Sequence, residues 1–191
     1  KDSVYSSATV SFFTHLPTVV PKCPSSTWAN GSGTLLIKAT SNTGTLAVRI
    51  MKRNGTLLSP FISPSVVSGN TFTFNNLEPA VYIVRYSAND NCNNIFYDTV
   101  VVSPYIYPNL NRSSVYQCDV NGFSLGAVVS NGVGPFLYEI IGSSPSTPSI
   151  VTSPQPASLF NINNGTNYSL VRLRATDGCG NATLEDASIL P

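Results

Sequence analysis

The 191-residue chain carries 10 Lys and Arg against 9 Asp and Glu, a formal net charge of +1, and only 10% of its residues are charged, where roughly 25% is usual. With no cluster of Lys and Arg, nucleic acid and anionic membrane surfaces are excluded as expected partners. No apolar run approaches the ~20 residues that a spanning helix needs, so no membrane insertion is expected. Ser, Thr and Asn take over the polar surface instead, a profile that suits an extracellular β protein.

Taken in order, Lys1 to Ser7 resembles Tyr97 to Ser103 and reads as the tail strand of a preceding repeat. Val10 to Phe13 opens the first full unit, and Val19 to Lys22 leads to Cys23. A polar, turn-rich segment from Pro24 to Gly33 then holds the chain's one tryptophan, Trp28. Alternating aliphatic residues predict strands at Thr34 to Thr40 and Leu46 to Lys52. Asn54-Gly55 is a tight-turn signal that pairs Leu46 to Lys52 with Thr56 to Ile62 as a hairpin. Pro60 and Pro64 mark edge or loop chain, because proline cannot donate to a ladder. Strands at Thr71 to Phe74, Val81 to Ala88 and Ile95 to Val102 complete the unit. The second unit follows the same plan, with Tyr105 to Leu110, Phe136 to Ile141, Leu159-Phe160, Tyr168 to Thr176 and Ala182 to Leu190 as its strands. Ser143 to Pro156 reads as surface chain without strand or helix.

The two units are linked by one stretch that occurs twice, Tyr82 to Cys92 and Tyr168 to Cys179. Counted back from each cysteine, Asp90 matches Asp177, Ala88 matches Ala175 and Arg85 matches Arg172. Past the cysteine, Asn94 matches Asn181 and Pro104 matches Pro191. Phase-locked matches of this kind mark an internal repeat. The expected organisation is a tail strand at 1–7, a first repeat at 8–104 and a second at 105–191. About seven short strands per unit, with frequent turn signals, predict an all-β protein of two tandem immunoglobulin-like β-sandwiches; another small Greek-key barrel is the alternative. Cysteines fall two per repeat at matching places, which favours structural disulfides, Cys23 with Cys92 and Cys118 with Cys179, made in an oxidising compartment.

Cys118, Asn121-Gly122, Gly132 to Tyr138 (Gly-Val-Gly-Pro-Phe-Leu-Tyr), Tyr168 and Asp177-Gly178-Cys179 resemble the SprB-type repeats of Bacteroidota surface adhesins. Asn76 to Tyr82 and Asp90-Asn91-Cys92 are similar to the same repeat in the first unit. Ala80 departs from that pattern, which prefers glycine there, and Pro24 to Gly33 is extra. The resemblance implies a gliding-motility or attachment protein exported by type 9 secretion, extracellular at the cell surface. Its implied partners are a surface polysaccharide or other external substratum and neighbouring repeats of the same chain. Asp2-Ser3-Val4 and Asp98-Thr99-Val100 are also similar to an O-glycosylation sequence of that phylum, making Ser3 and Thr99 candidate glycan sites. Simple strand alternation, which turns Thr99 outward because Val100 turns inward, is the competing explanation.

Candidate chemistry is sparse. Gly122 to Gly126 fits Gly-x-Ser-x-Gly, but the one histidine, His15, precedes Ser124 and no helical pattern follows, so Ser124 reads as a strand residue and His15 as a loop residue. Asp90 and Asp177 are calcium candidates, though too few acids surround them, and capping of their own turns is the favoured reading. Trp28, Tyr105 and Tyr107 are candidate ligand contacts, with packing over a sandwich end as the alternative for Trp28. No cofactor and no catalytic activity are expected. The leading function is a non-enzymatic adhesin repeat region acting as stalk or contact module; a carbohydrate-binding accessory module of a secreted enzyme is the alternative.

Overall fold

The computed structural model describes residues 13–42, 44–89, 94–119 and 122–189. Two compact units make up the chain, Lys1–Pro104 and Tyr105–Pro191. In the first, β1 (Phe13–Lys22), β2 (Ser32–Ser41), β6 (Thr71–Leu77) and β5 (Val66–Ser68) form one sheet in the order β1-β2-β6-β5. Its second sheet has the order β4-β3-β7-β8, from β3 (Thr45–Asn54), β4 (Leu57–Leu58), β7 (Ala80–Asn89) and β8 (Ile95–Val102). All pairings are antiparallel.

The second unit has the same plan with fewer strands. One sheet runs β12-β10-β9, from β9 (Asn109–Asp119), β10 (Gly122–Ser130) and β12 (Leu159–Asn163); the other runs β11-β13-β14, from β11 (Leu137–Ser144), β13 (Leu170–Thr176) and β14 (Ala182–Ser188). The chain is therefore all-β, two immunoglobulin-like sandwiches.

Period-two alternation makes each core. Leu35, Ile37 and Ala39 of β2 and Phe72 and Phe74 of β6 face Val48 and Ile50 of β3 and Tyr82, Val84 and Tyr86 of β7. The second core sets Phe123, Leu125 and Ala127 of β10 and Phe160 of β12 against Ile140 of β11 and Val171, Leu173 and Ala175 of β13. Each fully buried large side chain contributes about 1.5–3 kcal/mol. A hydrogen-bonded tyrosine tightens both cores near the start of the repeated strand: Tyr82 donates to the Glu78 carbonyl at 3.0 Å and Tyr168 to the Pro148 carbonyl at 2.7 Å. The Tyr82 bond, from near the start of β7 back to a carbonyl four residues upstream, is a hallmark of immunoglobulin-like sandwiches.

Several local expectations are corrected. β1 is one unbroken strand through Pro17 and Pro21, which the sheet margin tolerates because the free side of an edge strand needs no N–H. Asn54-Gly55 does turn the chain, with Gly55 at φ 61, but β4 stops at Leu58 before Pro60. Beyond it the Ser59 N–H donates to the Lys52 carbonyl at 2.8 Å and an isolated bridge joins Ile50 to Ile62. β9 starts at Asn109, not Tyr105, and β11 extends to Ser144.

Candidate functional site

Asp177 sits in the turn between β13 and β14, and its carboxylate is buried. Oδ1 accepts the Cys179 and Asn181 N–H groups, both at 2.9 Å. Oδ2 accepts the Tyr105 hydroxyl at 2.7 Å and the Val133 N–H at 3.2 Å. Gly178 completes the joint by donating to the Val133 carbonyl at 2.7 Å, an approach so close that a Cβ on Gly178 would lie 2.8 Å from the Gly134 oxygen. Burial works against the charged carboxylate, yet the Tyr105 hydroxyl and the three N–H donors outweigh it and hold the Asp177 pKa below the usual range. The group is an anion satisfied by its own turn and neighbours. Among the described residues, no set of three or more His, Cys, Asp or Glu is placed to hold a metal; Asp90 lies outside them.

The candidate aromatic contacts fall in different surroundings. Trp28 is half-buried in a turn closed by its own carbonyl, which accepts the Ser25 and Gly31 N–H groups at 3.1 and 2.9 Å. Tyr105 is held by Asp177 and by Asn181, whose amide donates to the Tyr105 oxygen at 2.8 Å. Burial first, then the Asp177 bond, pushes its pKa up to about 12. Tyr107 packs edge-on to it at 5.3 Å and is 68% exposed. Cys23 and Cys179, one per unit, are each disulfide-bonded. Cys92 lies outside the described residues, and Cys118 is described only as part of the β9 backbone. Ser3 also lies outside them; Thr99 points outward from β8 and is exposed.

Ser124 lies within β10 and its hydroxyl hydrogen-bonds to Asn161 Oδ1 at 2.6 Å. His15 is not a loop residue. It faces inward from β1, with its ring 5.0 Å from both Tyr86 and Phe96 and its Nε2 3.4 Å from Asp98 Oδ2. Tyr86 beside it has a buried hydroxyl with no hydrogen-bond partner among the described residues. Burial, and then the Asp98 charge, raises its pKa well above the usual tyrosine value.

The outward face of the β4-β3-β7-β8 sheet holds what the sequence did not single out. Register places Arg49 of β3 opposite Arg85 of β7, and Arg85 opposite Tyr97 of β8, so the three stand in one row. The next row carries Met51, Ile83 and Thr99. Phe61 joins it from the loop after β4, with the Arg85 guanidinium carbon 5.4 Å from its ring centroid. Met51 is only 8% exposed although it lies outside the core cluster. Neither Arg49 nor Arg85 makes an ion pair among the described residues. Tyr97 is 53% exposed. Only the match of Arg85 to Arg172 hinted at this face in the sequence.

A scan of protein-family models and a search of curated proteins find no match for the chain. Among solved structures, it is similar to the fibronectin(III)-like modules of CbhA from Clostridium thermocellum, at 13% identity and a TM-score of 0.33, over 90% of this chain and 91% of that one.

Proposed function

We propose that the chain is a non-enzymatic pair of repeat modules from a large bacterial cell-surface adhesin, exported by type 9 secretion and serving as stalk or contact surface. The observation that carries this reading is that one sandwich is built twice from a repeated sequence, with a disulfide-bonded cysteine in each copy. Disulfides suit an oxidising exterior, and repetition suits a protein that extends or multiplies a surface. The polar groups with most potential for chemistry serve the architecture instead: Asp177 fastens a turn, and Arg172 and Arg174 pair with Asp186 and Glu139. Antibodies against the purified chain test the reading on intact cells of the producing organism. They should label unpermeabilised cells and reduce attachment to a polysaccharide film; labelling only after lysis overturns the proposal.

A further inference from the structure

We propose that the outward face of β3, β7 and β8 binds an anionic polysaccharide, taking its acidic groups on Arg49 and Arg85 and its sugar rings on Tyr97 and Phe61. The first argument is an uncompensated cost. Like charges directly opposite each other on neighbouring strands destabilise a sheet, and Arg49 and Arg85 are placed so. The second unit shows how the fold relieves such a charge: Arg172 stands opposite Asp186 and bonds to it through both Nε and Nη2. At the corresponding place across from Arg85 stands Tyr97.

Among the described residues of the unit, no carboxylate relieves the pair. Its two described carboxylates are engaged elsewhere, Glu78 with Lys52 at 2.6 Å and Asp98 with His15. Lys1–Pro104 has seven Lys and Arg against four Asp and Glu, whereas Tyr105–Pro191 has three against five. The positive excess therefore belongs to the unit that carries the unpaired arginines, and the complementary occupant is an external anion. Guanidinium groups meet carboxylate or sulfate through two parallel bonds.

Shape selects the class of anion. The face is the flat side of a sheet, its row from Arg49 to Tyr97 spanning about 10 Å across three strands. It presents side chains and no free backbone groups. A peptide adding to a sheet uses an edge ladder, which this face lacks. The exposed rings of Tyr97 and Phe61 suit the apolar faces of sugars. Thr99 lies in the adjoining row, so a glycan attached there would cover the same surface, and the two uses exclude one another.

The assignment deepens the contact-module reading but is tested separately from it, with the purified chain and defined polymers. Affinity electrophoresis through polygalacturonate, dextran sulfate and neutral dextran should show at least tenfold tighter binding to one or both acidic polymers than to dextran; the two acidic arms separate carboxylate from sulfate recognition. Arg49→Gln, Arg85→Gln and Tyr97→Ala should each weaken that binding at least tenfold, while Arg172→Gln leaves it intact. Arg49→Gln should also melt no lower than the parent, which separates loss of ligand contact from loss of fold. Equal binding to dextran, equal binding to poly-glutamate or to a single-stranded oligonucleotide, or variants that bind as the parent does would each overturn the proposal. Antibody labelling that fails on intact cells would relocate the protein without altering these results.

Discussion

The two units place an arginine at the same position of the repeated strand and treat it in opposite ways. Arg172 of β13 is neutralised by Asp186 at 2.6 Å, and Arg174 beside it by Glu139 at 2.7 Å. Arg85 of β7 has Arg49 on one side, Tyr97 on the other and an aromatic ring beneath it. The strands are alike but both cross-strand neighbours differ, Arg49 and Tyr97 beside Arg85 against Gly142 and Asp186 beside Arg172, and they decide whether the charge closes the surface or leaves it open to a partner. A tandem repeat can thus hold one copy for architecture and give another a contact face without altering the fold.

The largest expected effect tests what the units share. Each should contain its own disulfide, Cys23 with Cys92 and Cys118 with Cys179, each closing more than sixty residues. Reduction should then cost each unit about 4 kcal/mol on the chain-entropy account, and unreduced peptide maps should show these two pairs; a bridge between units refutes the pairing. Next comes the anchor found in the second unit. Asp177→Ala strips acceptors from the Tyr105 hydroxyl and three N–H groups. It should cost about 3 kcal/mol, visible as an early calorimetric transition of that unit alone. The same carboxylate sets an acid limit: its folded pKa lies below the ordinary value of 3.8, so its stabilisation is complete above that value and is lost as pH falls through the depressed one. Asp177→Asn should flatten this part of the acid-unfolding curve.

The core of the first unit can be probed, apart from its face, by two tyrosines on one strand. Tyr82 donates to the Glu78 carbonyl, and burial together with Glu78 pushes its pKa up to about 12; Tyr82→Phe should cost about 1 kcal/mol. Tyr86 has a buried hydroxyl that bonds to none of the described residues, so Tyr86→Phe should leave stability unchanged or raise it in a urea melt. The smallest effect converts one unit's surface into the other's. Tyr97→Asp would face Arg85 as Asp186 faces Arg172, raising stability by about 0.2–1 kcal/mol while abolishing polyanion binding. The reciprocal Asp186→Tyr should scarcely move the second unit's melting point, since exposed pairs contribute little.

Much of the fold was legible because β7 and β13 alternate cleanly and occur twice, and Asp177 was legible as a turn cap because the Cys179 and Asn181 N–H groups are near in sequence, whereas its bonds to Tyr105 and Val133 depend on the fold. The errors lie where one residue has two meanings. His15, without a His or Cys at ligand spacing, reads alone as a loop residue, whereas β1 runs unbroken through it and through Pro17, which the sheet margin tolerates. β5 follows closely behind Pro60 and Pro64 and is short. The row of Arg49, Arg85 and Tyr97 depends on the register of three strands, which local spacing does not encode; each residue alone reads as a surface position.

The prolines of β1 have a consequence for a chain made of similar sandwiches in succession. In its ladder with β2, a proline must turn its nitrogen to the open side, so that side of β1 lacks a hydrogen-bond donor at positions 17 and 21. A neighbouring copy therefore finds no continuous template there for strand exchange, the misassembly to which repeated domains are most prone while still partly folded. Restoring the donors with Pro17→Val and Pro21→Val would trade a quiet margin for an adhesive one.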